Sequence, residues 1–277
     1  MVTTRTALNQ GAELLADAAV PDPRLTAVVL LCHALRRERI FLFSHPEHEL
    51  NTVEWIHYGR YLHERMQGKP TQYITRTQEW YGRPFSVSPA VLIPRPETEH
   101  IIEHALEVAR DARFVLDIGT GSGALAVTLA LELGARAVAT DLSHAALGVA
   151  RENAIRLQAR VDFVQADLAA GLATRFDLIV SNPPYIPAAE LPTLQREVRD
   201  HEPHLALLGG EEGTEPYRRI IPQVEHLLKP GGWLIFEIGY RGEPAVREAF
   251  EGGPWSDVTV GRDLAGLPRV LRARFVP

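Results

Sequence analysis

From Arg113 onward, short apolar runs alternate with helical stretches, and this alternation constrains the fold more than any other feature of the chain. Runs at 113–118, 136–141, 161–166, 176–181, 232–238, 255–260 and 268–275 read as strands. Some are continuous aliphatic segments, such as Leu178-Ile179-Val180, which suit strands buried on both faces. Helices fit between the first five runs and between the fifth and sixth. Such alternation builds a parallel sheet with helices on both sides, an α/β fold of Rossmann-like type. Gly261 to Pro268 carries no helical pattern, so the last two strands are expected to close the sheet as an antiparallel hairpin.

Residues 3 to 68 have a different texture. Leu8, Leu14, Leu15 and Ala18 recur at helical spacing until Pro21, and Pro23 can open a second helix carrying Leu25 to Leu35. A third, from about Thr52 to Gln67, offers Val53, Ile56, Tyr61, Leu62 and Met66 for one face. Gln78 to Phe85 and Ser86 to Ile93 are β-prone runs around Gly82, Pro84 and Pro89, consistent with a hairpin linker. A further helix follows, with Ile101, Ile102, Ala105, Leu106 and Val108 available as its buried stripe. The expected organisation is a helical domain over residues 1–70, a β-hairpin linker over 71–96 and an α/β domain over 97–277.

Composition narrows the function classes. One cysteine among 277 residues excludes an internal disulfide framework and fits a reducing compartment. Cys32 lies in Val28-Val29-Leu30-Leu31-Cys32, so a buried inert thiol is expected. No apolar run approaches the roughly 20 residues that span a bilayer. The start, Met1-Val2-Thr3-Thr4-Arg5, lacks the apolar core of a signal peptide, so a cytoplasmic protein is expected, without a membrane partner. A net charge of −6 argues mildly against a nucleic-acid substrate, despite basic patches at Arg36, Arg37 and Arg39 and at Arg218 and Arg219. His45 and His48, near Glu47 and Glu49, find no second ligand pair, so no metal is expected. No serine elbow or Cys/His pair supports nucleophilic catalysis.

The first strand ends in Asp117-Ile118-Gly119-Thr120-Gly121-Ser122-Gly123, and a helical run from Ala124 follows. Glycines let backbone approach a ligand closely, and a helix N-terminus favours negative charge. A turn of this kind could serve NAD, FAD or S-adenosylmethionine. Its glycines fall at 119, 121 and 123, with Ala124 beyond, which is not the dinucleotide spacing. Asp117 inside the turn would repel a pyrophosphate but welcome a methionine ammonium. Asp141 closes the second strand, 18 residues after Gly123, where an acid can take both ribose hydroxyls; a helix N-cap is its plainer role. Asp167, beside Leu168, ends the third strand at a place suited to adenine. Three carboxylates and no phosphate-binding cation favour a nucleoside with a cationic amino-acid tail, as in S-adenosylmethionine.

The fourth strand ends in Asn182-Pro183-Pro184-Tyr185. Prolines fix φ and donate no backbone hydrogen bond, so the Asn182 carboxamide and the Pro183 carbonyl are presented as stiff acceptors beside an aromatic wall. That arrangement suits a planar NH2 group, whether an exocyclic base amine or a side-chain amide. All four elements fall at strand carboxyl ends, where open α/β sheets place their sites.

Taken together, Gly68-Lys69-Pro70-Thr71-Gln72-Tyr73-Ile74, Ser88 to Glu99, the Asp117–Gly123 turn, Asn182 to Tyr185, and Glu202-Pro203 with Ala206 to Gly210 resemble the protein-(glutamine-N5) methyltransferases that act on peptide chain release factors. The resemblance covers nearly the full length, and Ile93 to Glu99 is its most selective part. It implies a helical N-terminal domain for substrate recognition, a hairpin linker and a seven-stranded methyltransferase sheet. It further implies S-adenosylmethionine as cofactor, S-adenosylhomocysteine as product, and class-1 release factors as protein substrate, methylated on the glutamine of a Gly-Gly-Gln loop. Cofactor contacts map onto Asp117, Gly119, Thr120, Gly121, Ser122, Gly123, Asp141, Asp167, Leu168 and Asn182. The catalytic set maps onto Asn182, Pro183 and Tyr185, and the substrate amide onto these with Pro184. A monomer with no stably bound nucleic acid is expected. The alternatives are N6-adenine methylation of nucleic acid, which shares the Asn-Pro-Pro-Tyr signature, glutamine methylation of a ribosomal protein, and a non-catalytic cofactor-binding scaffold. Ile186 to Tyr217 has no regular periodicity and reads as a long functional loop that grips the protein substrate together with the N-terminal helices.

Overall fold

The structure, a computed structural model, describes residues 2–277; Met1, the first residue of the expected helical domain, lies outside them. The chain divides into two compact units. The first comprises the stretch ending at Thr77 together with Gln195–His201, and the second comprises Gln78–Leu194 and Glu202–Pro277.

In the first unit, helices α1 (Thr4–Asp17), α2 (Pro23–Leu35), α3 (Arg39–Ser44), α4 (Thr52–Met66) and α5 (Thr71–Thr75) surround an aliphatic core that includes Leu8, Leu15, Leu30, Leu31 and Leu62. The helix starts follow from capping chemistry. Thr3 accepts from the Thr6 amide, Pro23 opens α2, and Asn51 and Glu54 form a reciprocal capping box on α4. Gly11 sits mid-helix because a Cβ there would lie 1.9 Å from the Tyr58 hydroxyl oxygen, so only glycine lets α1 lie this close to α4. The expected apolar face of α4 is corrected. Tyr58, Leu62 and Arg65 are its buried positions, whereas Val53 and Ile56 are exposed. Arg65 tolerates burial because Glu197, in the short helix Arg196–His201 of the same unit, lies 2.8 Å from its guanidinium. Cys32 is half-buried rather than fully buried, and burial pushes its thiol up, away from the reactive thiolate.

A hairpin is present, but strands β1 (Thr77–Trp80) and β2 (Arg83–Ser86) both fall within or beside the first β-prone run, 78–85, which turns at Tyr81-Gly82 instead of forming one strand. The second β-prone run, 86–93, is corrected: beyond Ser86 it is not a strand, and Ala90, Val91 and Leu92 instead line a cavity of the second unit. Helix α6 (Glu99–Val108) follows and buries Ile101, Ile102 and Ala105 as expected.

Then come β3 (Phe114–Ile118), α7 (Ala124–Leu133), β4 (Arg136–Asp141), α8 (His144–Leu157), β5 (Val161–Gln165), β6 (Phe176–Ser181), α9 (Arg196–His201), α10 (Glu215–Val224), β7 (Leu228–Glu237), α11 (Glu243–Glu248), β8 (Trp255–Arg262) and β9 (Pro268–Phe275). Among the described residues, β3 to β9 form one seven-stranded sheet in the order β5-β4-β3-β6-β7-β9-β8. The first five of these strands along the chain pair in parallel, and β9 runs antiparallel to both β7 and β8, closing the sheet as expected. Side chains alternate between two cores. Val115, Leu178 and Val180 pack with α6 and α7, while Leu116, Ile118 and Ile179 pack with α10 and α11.

Two further expectations differ from the structure. No helix joins β5 to β6; Asp167 to Leu172 is a tight turn, too short for one. Ile186 to Tyr217 is not structureless, since it holds two short 3-10 turns (Ala188–Thr193 and His204–Ala206), α9 and the start of α10. Its prolines and polar runs hide the helical period because each piece is only one or two turns long.

Candidate active site

The chain leaves β3, winds outward through β4 and β5, and returns to the other side of β3 as β6. Because these strands are parallel, Ile118, Asp141, Gln165 and Ser181 all end on one edge, and the reversal opens a crevice there. A cavity of about 390 Å³ occupies it. Gly119, Thr120, Gly121, Ser122, Asp141, Asp167, Leu168, Asn182 and Pro184 line this cavity.

The glycine turn is built by strand-end hydrogen bonds. The amides of Gly119 and Thr120 both donate to the Thr140 carbonyl at 2.9 Å, which ties the turn to the end of β4. Gly119 and Gly121 have φ of 73° and 55°, and a Cβ on either would meet no protein atom within 4 Å. The space above them is open and belongs to the cavity, so bare backbone faces it, which fits a cofactor resting there. Gly123 has another reason to be glycine: its Cβ would stand 3.1 Å from the Ala150 Cβ of α8.

The three acids have distinct situations. Asp117 is fully buried beneath the turn and does not line the cavity. Its Oδ2 accepts from the Thr120 hydroxyl at 2.6 Å and the Ala126 amide at 3.1 Å, so it braces the turn from below. Its Oδ1 has no partner, and burial pushes the carboxyl up to about 7 against those two hydrogen bonds. Asp141 reaches the cavity while Oδ2 accepts from the Gly121 amide and Oδ1 from the Ser143 amide. The N-cap of α8 is Ser143, not Asp141. Asp167 stands at the exposed rim, 2.6 Å from Arg219, which lines the same cavity. Leu168 beside it holds φ at 57°, a left-handed conformation that costs a residue with a Cβ roughly 1–2 kcal/mol.

Asn182 follows β6 directly, and its Nδ2 donates to Thr98 Oγ1 at 3.1 Å. Pro183 and Tyr185 do not line the cavity. The expected aromatic wall is thus corrected: the Tyr185 hydroxyl turns inward and donates to Glu237 Oε1 at 3.1 Å. The backbone of this segment is held by the loop ending at Gly213. Ile186 donates to the Leu207 carbonyl and accepts from the Gly209 amide. A Cβ at Gly209 would lie 2.5 Å from the Pro184 carbonyl oxygen, so backbone packs directly on backbone here.

Several contributors had no role assigned from the sequence, although Arg95 and Thr98 lie in the selective Ile93–Glu99 stretch and Glu202 in the Glu202-Pro203 pair. Thr98 and Glu237 support Asn182, and Glu202 braces the opposite wall, accepting from the Ile93 amide and pairing with Arg95. Their pairing gave no local signal, since the partners are remote along the chain. Among the described residues, no group of three potential ligands could hold a metal ion, and no helix is long and apolar enough to cross a membrane.

Comparison with known proteins agrees with this architecture. Residues 6–75 match the family model described as PrmC N-terminal domain, and residues 98–209 match the Methyltransferase small domain. The chain is 47% identical over 278 residues to the release factor glutamine methyltransferase of Koribacter versatilis, covering 99% of both chains. It is 42% identical to that of Geobacter sulfurreducens, covering 99% of this chain and 97% of the relative. A solved methyltransferase from Pyrococcus furiosus shares the fold, with a TM-score of 0.56 at 21% identity over 70% of this chain and 89% of the other. Full-length identity at this level, over a glycine cradle and an Asn-Pro-Pro-Tyr strand end in one crevice, means that the chain belongs to the release factor glutamine methyltransferase family.

Proposed function

We propose that the protein methylates the N5 side-chain amide of the glutamine in the Gly-Gly-Gln motif of class-1 peptide chain release factors. Its use of S-adenosylmethionine and of a release-factor glutamine follows from its family. One observation carries the site assignment: Asn182 and the Gly119–Ser122 cradle face the same crevice, so a methyl donor on the cradle lies beside an amide acceptor.

When bound, S-adenosylmethionine supplies an electrophilic sulfonium methyl. Gly119 to Ser122 would hold its amino-acid part, Asp141 the ribose, and Asp167 with Leu168 the adenine. A carboxamide nitrogen is a poor nucleophile because its lone pair is delocalised into the carbonyl. The Asn182 side-chain oxygen, on the cavity wall, would accept one of its N–H bonds, and the Pro183 carbonyl, set behind that wall, would accept the other once the substrate glutamine is seated, aiming the lone pair into the crevice. The same acceptors would stabilise positive charge that develops on nitrogen as the new C–N bond forms and the methyl C–S bond breaks, its electron pair returning to sulfur to leave S-adenosylhomocysteine. The proton leaves after transfer, so no strong general base is needed. We also propose that the enzyme works as a cytoplasmic monomer, and that the helical unit and Ile186 to Tyr217 contribute to gripping the release factor.

The test is incubation with methyl-labelled S-adenosylmethionine and purified release factor, followed by mass mapping. Label on the Gly-Gly-Gln glutamine is expected. Label on a ribosomal protein or on nucleic acid instead would overturn the assignment.

A further inference from the structure

We propose that Glu237 and Thr98 are positioning residues that dictate which end of the Asn182 carboxamide faces the substrate. The inference rests on the reading that the Asn182 oxygen accepts from the target glutamine. A carboxamide turned by 180° has nearly the same shape but exchanges an acceptor for a donor. Sterics therefore do not set its sense; hydrogen-bond partners must.

With an ionised Glu237 at the end of the chain, the partners here permit one sense. Glu237, the last residue of β7, is buried, and in its ionised form it can only accept; burial pushes its carboxyl up, while the hydroxyls of Thr98 and Tyr185 that donate to it favour the ionised form. Its Oε2 takes the hydroxyl hydrogen of Thr98 at 2.5 Å, and its Oε1 takes that of Tyr185 at 3.1 Å. Thr98, also buried, has a single hydroxyl hydrogen, which is thereby committed. Its oxygen can only accept from Asn182, at 3.1 Å, so Asn182 must present its NH2 to Thr98 and its oxygen elsewhere. A water in place of Thr98 could donate or accept and would leave the amide free to turn.

The anchoring extends beyond the triad. Tyr217 donates to the Glu237 backbone carbonyl at 2.9 Å and fixes the end of β7. Thr98 closes the turn Pro96–Thr98 that leads into α6, so the relay joins α6, β6 and β7 at the crevice. With the chain reversed, the Asn182 NH2 would face the substrate NH2, donor against donor, and the acceptor that orients the nucleophile would be lost.

The test compares Thr98→Val, which keeps shape but removes the acceptor, with Thr98→Ser, which keeps the acceptor. Thr98→Val should lower kcat for methyl transfer to release factor by about 10- to 100-fold, the scale of misplacing a reacting group. Its cofactor Kd should stay within about twofold, the signature of an interaction felt at the chemical step. Thr98→Ser should recover most of the loss. Wild-type kcat in Thr98→Val, an equal loss in Thr98→Ser, or a matching loss of cofactor affinity would each overturn the proposal. A second measurement needs no variant turnover. In wild-type protein labelled with 15N-asparagine, the Asn182 side-chain N–H facing Thr98 should exchange slowly with solvent. Fast exchange of both its protons overturns the proposal even if methyl transfer is robust. Absence of methyl transfer in the wild type alongside slow exchange would instead sink the functional reading, and with it the substrate-facing role, while the locked sense of the Asn182 carboxamide would stand.

Discussion

The Thr120 hydroxyl lies 2.6 Å from Asp117 Oδ2 and holds a buried carboxyl directly beneath the glycine cradle. Burial raises this acid from its ordinary range to about 7. A group whose pKa is raised on folding favours the fold below its unfolded value and loses that contribution as pH rises through the folded value. Wild-type stability should thus carry a downward slope from about pH 4 to about pH 7 due to Asp117, worth about 3 kcal/mol between pH 5 and 8 by the linkage relation. Asp117→Asn keeps an oxygen for Thr120 and Ala126 but cannot ionise. Urea unfolding at pH 5 and pH 8 should show the variant losing less stability than the wild type over that interval, and equal slopes would refute the assignment.

Gly121 and Gly123 should fail differently when changed to alanine. Both have positive φ, which costs alanine roughly 1–2 kcal/mol. At Gly121 the new methyl would project into open cavity, so cofactor affinity should fall more than stability. At Gly123 it would press on Ala150 of α8 at 3.1 Å, so the melting temperature should fall further. Calorimetric titration with S-adenosylhomocysteine, alongside thermal melts, separates the two.

Arg95 and Glu202 should respond unequally to loss of their partner. The Glu202 side chain is 1% exposed, whereas that of Arg95 is 33% exposed. Arg95→Met strands a buried carboxylate and should cost about 3 kcal/mol, near the lower end for broken buried pairs because part of the pair is solvated. Glu202→Gln leaves Arg95 able to reach water and still accepts from Ile93, so its cost should be smaller. Chemical denaturation of both variants checks the order.

Asn182→Ala removes the acceptor proposed for the substrate amide. Turnover should fall by roughly 10²- to 10³-fold, the scale seen when one preorganised transition-state partner is deleted. Folding and cofactor affinity should change little, because Asn182 is a single edge of the cavity. Near-wild-type methyl transfer in this variant would remove the mechanism.

Much of the fold was legible because its signals are local. Val115 and Leu116 point to opposite cores yet both are fully buried, and a run without polar interruption is how a doubly covered strand reads in sequence. The Gly119–Gly123 turn and the Asn182 strand end were visible for the same reason, each being contiguous. Where short elements broke the pattern, as in α9 and the His204–Ala206 turn, periodicity had too few residues to register. Asp117 and Tyr185 were recognised as site residues, but their direction was not, since a side chain's aim depends on what packs against it.

By itself the sequence determined the alternating α/β architecture, the placement of cradle and amide at strand carboxyl ends, and the family, because these follow from periodicity and contiguous motifs. Only the tertiary structure decided that Asp117 lies under the cradle and that Tyr185 faces Glu237. It alone also decided that the Asn182 amide is locked through Thr98. Thr98 and Glu237 are 139 residues apart, and Arg95 and Glu202 are 107 apart. Their hydrogen bonds exist only once the sheet has brought β7 and the loop before α6 together, and no local pattern encodes which distant donor will meet which acceptor.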